Sequence, residues 1–303
     1  MIDATVIVLT KNEQLHIGRL LSQISHRFAR ICIVDSESSD STRDICGSYG
    51  ADIYVNPWPG NHALQINWAL DNIDIVTRWV VRLDADEVLS DKFLSDLDLY
   101  LESVPNIVGG IYLQRKHVFL GKKIRFGKVR ATKILRVWRN GCARCDNRLM
   151  DEKISLSPGL ESTVFKGIFW DWNLNGLSHW IEKHNDYSSR EALQLVVAKN
   201  SSLSFEYPIT NFQITNDNRK MLYGFLPLGV RGILFFGFQY FLCGGFLDGL
   251  RGFQWHFFQV LWYRQLVDAK VLEFEAAIQR DWESFANDIH LKWGYRLVKS
   301  DSE

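Results

Sequence analysis

Three carboxylates fall within four residues in Arg82-Leu83-Asp84-Ala85-Asp86-Glu87, directly after the apolar run Trp79-Val80-Val81. A strand does not bury such groups willingly, so the acids are expected where the strand emerges into a cleft. On extended backbone, residues two apart point to the same side. Asp84 and Asp86 would then present hard oxygen ligands suited to Mg²⁺ or Mn²⁺, a cation that keeps coordination positions open for phosphates. The plainer reading is a solvated turn, and what lies upstream decides between the two.

Upstream, residues 4–9 form a β-branched run suited to a strand buried on both faces. It leads into Thr10-Lys11-Asn12-Glu13, and Leu15, Ile17, Leu20, Leu21 and Ile24 then recur at helical spacing. Residues 31–34 predict a second strand. It ends at Asp35-Ser36-Glu37-Ser38-Ser39-Asp40-Ser41-Thr42, whose small polar residues suit a loop and a helix cap. Residues 51–55 predict a third strand, 61–70 a helix and 79–83 the fourth strand. This alternation predicts an α/β fold, a mostly parallel sheet with helices on both faces and its ligand site at the carboxyl ends of the strands. No G-x-G-x-x-G follows the first strand and no G-x-x-x-x-G-K-[ST] occurs, which argues against a dinucleotide fold and a P-loop ATPase.

A chain of 303 residues with 47% hydrophobic residues builds a core without difficulty. Zero formal charge and a pI near 7.1 give no global case for nucleic acid. The distribution is uneven, because every charged residue between Glu102 and Asp146 is basic. That block suits phosphates or an anionic membrane surface. Cys32, Cys46, Cys142, Cys145 and Cys243 are odd in number and suggest reduced thiols in a cytosolic compartment. Cys142 and Cys145 form a lone C-x-x-C, read as structural, and the N-terminus reads as strand rather than signal peptide.

Val6-Ile7-Val8-Leu9-Thr10-Lys11-Asn12-Glu13, then Ile33-Val34-Asp35-Ser36-Glu37-Ser38-Ser39-Asp40-Ser41-Thr42, then Asp84-Ala85-Asp86-Glu87 resemble the nucleotide-sugar half of a glycosyltransferase family 2 enzyme with the GT-A (Rossmann-like) fold. Leu177-Ser178-His179-Trp180 with Lys183-His184-Asn185-Asp186-Tyr187-Ser188, and Gly245-Phe246-Leu247-Asp248-Gly249, are similar to a bacterial subgroup. That subgroup builds lipopolysaccharide core and O-antigen or capsule repeat units.

The resemblance implies that Thr10, Asn12 and Glu13 line the uridine or ribose pocket and that Asp35 accepts from base or ribose. Helix capping is the plainer role for Glu13. Asp84 and Asp86 match the D-x-D motif, which implies Mg²⁺ or Mn²⁺ on the diphosphate. Asp86 is the firmer ligand, Asp84 alternatively touches ribose or sugar, and Glu87 is read as solvated. Arg136 resembles the family's R-L-F-R arginine, which faces a diphosphate. His184 would add a ligand or hydrogen bond there, against a default core role. An inverting transfer needs a carboxylate base, and Glu152, with Asp151 as runner-up, holds the family's position in Leu149-Met150-Asp151-Glu152-Lys153. An exposed acidic pair between Arg148 and Lys153 is the alternative.

Residues 221–263 are dense in Phe, Leu, Trp and Gly, but Arg231, Asp248 and Arg251 interrupt the run of about 20 apolar residues that a bilayer span needs. Interfacial helices and an aromatic core or dimer contact fit equally well. The expected division is residues 1–220 as a GT-A catalytic domain and 221–303 as a helical membrane-interface or oligomerisation region, with a charged helix and loose tail after 271. The resemblance implies an inverting hexosyltransferase, cytoplasmic and peripheral to a bacterial inner membrane. Its donor would be a UDP-hexose, with glucose or a close relative as the sugar, and its acceptor a lipid-linked saccharide. A non-catalytic GT-A-like scaffold recruiting a partner is the alternative, as is a nucleotidyltransferase, which Thr10-Lys11-Asn12-Glu13 does not suit for want of glycines.

Overall fold

The computed structural model describes residues 1–127, 131–146, 153–200, 202–206 and 226–299. These gather into two compact units. The first holds Met1–Ile124 and, after a departure at residues 125–127, the described residues of 131–175; the second holds residues 125–127 and those described from Gly176 on.

The first unit begins as the hydrophobic pattern predicts. β1 (Ile2–Thr10), α1 (Ile17–Ile24), β2 (Phe28–Asp35), α2 (Thr42–Ser48), β3 (Asp52–Val55), α3 (His62–Asn72) and β4 (Trp79–Asp84) alternate in order. They are followed by β5 (Glu87–Val88), α4 (Asp91–Ser103), β6 (Val108–Phe119), β7 (Lys122–Lys123), β8 (Thr132–Arg139), β9 (Ala143–Cys145), β10 (Ile154–Leu156) and β11 (Glu161–Asp171). The main sheet has the order β3-β2-β1-β4-β8-β6-β11-β5, with β7 paired to β6. From β3 to β4 every pairing is parallel. β8 runs antiparallel to both β4 and β6, while β11 is parallel to β6. Parallel pairing needs a long crossover, and the helices α1 to α3 supply it; the short return from β6 to β8 permits only antiparallel pairing.

Alternate residues of the central strands feed two cores. Val6, Val8 and Ile33 join Ile17, Leu20, Leu21 and Ile24 of α1 and Phe93, Leu94, Leu97 and Leu101 of α4 on one face. Ile7, Cys32, Val34 and Val80 meet Ala63, Ile66 and Ala69 of α3 on the other. The expected α/β class with helices on both faces therefore holds. Helix starts follow local chemistry: Asn61 accepts the Leu64 N–H at 2.8 Å and Ser90 the Phe93 N–H at 3.2 Å. All five cysteines are free thiols, and burial pushes Cys32 up to about 11 and Cys46 up to about 12.

In the second unit α5 (Leu177–Lys199) packs on the helix Tyr263–Arg280 through Ala192, Val196 and Val271. Leu193 meets Phe285 and Ile289 of the helix Trp282–Trp293. The expected loose tail is, as far as Lys299, a strand: Leu297–Lys299 pairs with Leu203–Phe205. Its register buries Leu297 with the Leu193 cluster, an apolar anchor that outweighs the charged composition around it.

Candidate active site at the carboxyl ends of the strands

Strand register brings three of the singled-out residues to the carboxyl ends of adjacent strands. Thr10 pairs with Asp35 across β1 and β2, and Leu9 pairs with Asp84 across β1 and β4. Thr10 Oγ1 donates to Asp35 Oδ2 at 2.8 Å, Ser38 Oγ donates to the same oxygen at 2.6 Å, and the Ser38 N–H donates to Oδ1 at 2.7 Å. Asp35 is fully buried, so in this structure its carboxylate fastens one loop to the other.

The serine-rich segment 36–42, read as plain loop and cap, is the partner of Thr10-Lys11-Asn12-Glu13. The Asn12 N–H donates to Ser38 Oγ at 2.8 Å, the Ser39 N–H to Asn12 Oδ1 at 2.9 Å, and the Glu13 N–H to Thr42 Oγ1 at 2.7 Å. Lys11 Nζ donates to the carbonyls of Ser36 and Glu37 at 2.6 and 2.7 Å. Ser41 makes no side-chain cap on α2; Asp40 Oδ1 instead accepts the Thr42 N–H at 3.0 Å. Asn12 sits at φ 55°, in the left-handed region where asparagine is among the few tolerated side chains.

Glu13 does more than lie near a helix start. Its Oε2 is 2.6 Å from His16 Nδ1, while His16 Nε2 accepts the Leu174 N–H at 2.9 Å. An accepting Nε2 puts the ring proton on Nδ1, which donates to Glu13. His16 is buried and was not singled out from sequence; its spacing of three from Glu13 on one helical turn was the available signal.

The acidic end of β4 differs from the extended arrangement expected. The strand stops at Asp84 and Ala85-Asp86 form a turn before Glu87. Glu87 Oε2 accepts the Asp84 N–H at 2.9 Å, which closes that turn. The two aspartates consequently have different partners. Asp84 meets Arg136 Nη2, with Arg82 at 3.5 Å, whereas Asp86 Oδ2 accepts from Asn173 Nδ2 at 3.0 Å. Both are half-buried. Glu87, expected to be solvated, is instead fully buried and ion-paired with Arg136 Nη2 at 2.5 Å. A buried cation between two carboxylates requires it there. Arg136, expected to face a diphosphate, is itself buried and serves Asp84 and Glu87.

The end of β11 borders these acids. Asp171 pairs with Glu87 and with His117, and its Oδ2 lies 3.3 Å from His117 Nδ1 and 3.6 Å from Arg115. Arg19 Nη2 donates to the carbonyls of Trp172 at 2.5 Å and Asp86 at 3.2 Å, holding the 171–173 segment against the Asp86 turn. Sequence reasoning missed Arg19, Asn173 and Asp171, since none lies in a motif and only sheet pairing brings them near.

Burial opposes ionisation of Asp84, but the Arg136 and Arg82 guanidiniums overcome it and hold the carboxyl well below its usual range. For Glu87 burial wins: against the pull of Arg136, and with the Asp84 charge adding, it is pushed up to about 8. Glu87 then binds its proton more tightly folded than unfolded. Stability contributed by that proton is present below about pH 4.5 and is lost as pH rises toward 8. Asp84 acts oppositely, with stability present above the ordinary carboxylate value and lost as pH falls through its lowered one. In metal-free protein, urea denaturation at stepped pH should show stability declining across that upper window, by at most about 1.4 kcal/mol per pH unit. Glu87→Gln should flatten this decline.

Among the described residues no group of three or more His, Cys, Asp and Glu is gathered around a cation position. A cation at this strand end would be held by one or two carboxylates and completed by ligand phosphates, rather than by an all-protein cage. Asp151 and Glu152 lie outside the described residues. The flanking Asp146 N–H donates to the Lys153 carbonyl at 2.8 Å, extending the β9–β10 ladder. His184 belongs to the second unit, stacked on Trp180 at 3.5 Å between ring centroids and edge-on to Tyr263 at 5.7 Å.

The family model described as glycosyl transferase family 2 matches residues 5–155, the span that carries the Thr10, Asp35 and Asp84 strand ends. An uncharacterized glycosyltransferase of Rickettsia prowazekii is 24% identical over 256 residues, covering 81% of either chain. A lipopolysaccharide core biosynthesis glycosyltransferase of Rhizobium meliloti is 29% identical over 205 residues, 63% of this chain and 71% of the relative. Among solved structures, a mycobacterial protein aligns over 68% of this chain and 80% of its own at 13% identity and TM-score 0.43. Glucosyl-3-phosphoglycerate synthase of Mycobacterium tuberculosis, solved with Mn²⁺, UDP-glucose and phosphoglyceric acid, aligns over 37% of this chain and 43% of its own at 15% identity and TM-score 0.32. With the family match spanning β1 to β10 and the curated relatives extending it, the chain belongs to glycosyltransferase family 2.

Proposed function

We propose that this glycosyltransferase transfers a hexose, glucose or a close relative, from a UDP-sugar to a lipid-linked saccharide during bacterial surface polysaccharide or lipopolysaccharide synthesis, with inversion. The observation that carries the reading is the gathering of Thr10, Asp35 and Asp84 at the carboxyl ends of the adjacent strands β1, β2 and β4, where a doubly wound sheet binds its ligands. The relative from Rhizobium meliloti, a lipopolysaccharide core enzyme, supports the acceptor class.

In this reading Thr10, Asn12 and Glu13 line the nucleoside side of the cleft. Asp86, with Asp84 beside it, holds a divalent cation, Mg²⁺ or Mn²⁺. When bound, the cation supplies positive charge to the departing nucleoside diphosphate. Arg136 keeps Asp84 ionised and in place, and Asn173 orients Asp86. Glu152, or Asp151, takes the acceptor hydroxyl's proton from the face opposite the leaving group. The protein works at the cytoplasmic face of the inner membrane, where a lipid-linked acceptor is reached.

The test is a calorimetric titration with UDP, GDP and UDP-hexoses, with and without Mn²⁺. Mn²⁺-dependent binding of UDP in preference to GDP is the expected result. A folded protein that binds no nucleotide under any metal condition overturns the reading and favours a non-catalytic scaffold.

A further inference from the structure

The stretch 226–262 of the second unit is turned inside out for a water-facing surface. Its charged residues are Arg231, Asp248 and Arg251. Two of these are buried and satisfied. Arg231 forks onto Asp268, with Nε 2.9 and 3.0 Å from the two carboxylate oxygens, and Asp248 Oδ2 accepts the N–H groups of Arg125 and Phe126 at 2.9 Å each. Meanwhile Ile233, Leu234, Phe241, Leu242, Leu247 and Leu250 are 53–79% exposed. A helix pair bordered by water shows the reverse, with charges outside and aliphatic residues within. Exposed apolar surface this continuous along the chain marks an interaction face.

We infer that this edge docks on an anionic lipid leaflet, lying in the interface rather than crossing it. The inference deepens the proposed function, on whose lipid-linked acceptor it rests, by naming the surface and the lipid class. Charge selects the partner. Arg251 and Arg125 are exposed, the latter carried to this edge by its backbone bond to Asp248, and no carboxylate of the stretch is exposed beside them. Anionic headgroups complement that pattern. A second copy would bring the same cations and no exposed carboxylate to meet them.

Geometry selects the mode. Among the described residues no single helix is long and apolar enough to span a bilayer; the segments Val230–Leu242 and Gly245–Arg280 reach that length and composition only as a pair, and they meet at a 69° bend. The bend is built in: Gly244 has φ +74°, and a Cβ on Gly245 would lie 2.8–2.9 Å from the His256 ring. A bent pair with an apolar edge, aromatic side chains and flanking arginines suits insertion to the depth of the headgroup and acyl boundary.

The experiment is flotation of the full chain, without nucleotide, on phosphatidylcholine vesicles with and without one-third phosphatidylglycerol. Wild-type protein should float with the anionic vesicles and lose most of that binding in high salt. Leu242→Glu with Leu250→Glu, both on the exposed edge, should float at least ten-fold less. Arg125→Gln with Arg251→Gln should abolish the preference for phosphatidylglycerol. Circular dichroism and the UDP titration should be unchanged in both double variants, which separates failure here from failure of the transferase reading. Absence of flotation, or flotation undiminished by the glutamates, overturns the inference. So does a wild-type dimer in sedimentation that the glutamates dissolve while lipid binding is absent.

Discussion

Asp86→Ala should abolish Mn²⁺-dependent UDP binding and lower sugar transfer by about 10²–10³-fold or more, the scale seen when one electrostatic contact to a developing charge is removed. The same substitution should leave the fold nearly untouched. Asp86 is half-buried, sits in a turn, and accepts a side-chain bond from Asn173. Loss of that bond costs on the order of 1 kcal/mol. Measured together, chemical denaturation and metal-dependent nucleotide titration should therefore separate cleanly: stability retained, binding lost. Equal UDP affinity in Asp86→Ala and wild type, each with Mn²⁺, would remove Asp86 from the donor site. Asp84 is the poorer test, because truncating it also strips a partner from buried Arg136. Asn173→Ala should give a milder version of the Asp86 result, a metal affinity weakened about 10-fold or more with stability preserved, as expected of a group that orients a ligand.

Arg136→Met should show the largest loss of stability, about 3–5 kcal/mol by urea denaturation, because it leaves the buried Glu87 and half-buried Asp84 without the cation between them. Arg82, 3.5 Å from Asp84, moderates the loss but does not reach Glu87 in this arrangement. The charge argument has its own control. Adding Asp84→Asn to Arg136→Met removes the stranded carboxylate and should recover part of the loss, a non-additivity that simple cavity formation would not produce. Arg136→Lys should fall between, since one ammonium must replace a planar guanidinium whose Nη2 serves both acids. A loss below about 1 kcal/mol in Arg136→Met would mean that the triad is solvated and that Glu87 titrates as an ordinary carboxylate.

The parallel half of the fold was legible in the chain because its signals are local. Val6, Val8 and Ile33 feed one core and Ile7, Cys32 and Val34 the other, so the period-two pattern of each strand already encodes two covered faces. The acids at 84–87 were legible as a site for the same reason: nothing in an apolar strand prepares their burial, so they belong at its end. The motifs of family 2 are likewise contiguous and can be read without knowing what folds against them.

Tertiary structure decided the partners. Glu87 reads as solvated because no neighbour in sequence compensates its charge; Arg136, 49 residues later, does so only because β8 pairs beside β4. Asp35 and Thr10 read as nucleotide contacts, and register also sets them side by side, with Ser38 completing the bond set. His16, Arg19, Asn173 and Asp171 carry no motif at all. They join the site because β11 crosses to the edge beside β5 and brings its carboxyl end to the Asp86 turn. In the C-terminal stretch, composition left interfacial helices and an aromatic core equally open. Which way Arg231 and Asp248 turn depends on Asp268 and on the amides of residues 125 and 126, groups far away in the chain. Hydrophobic period is a property of neighbours in sequence and survives translation into structure; compensation of charge is a property of neighbours in space, and only the folded chain determines it.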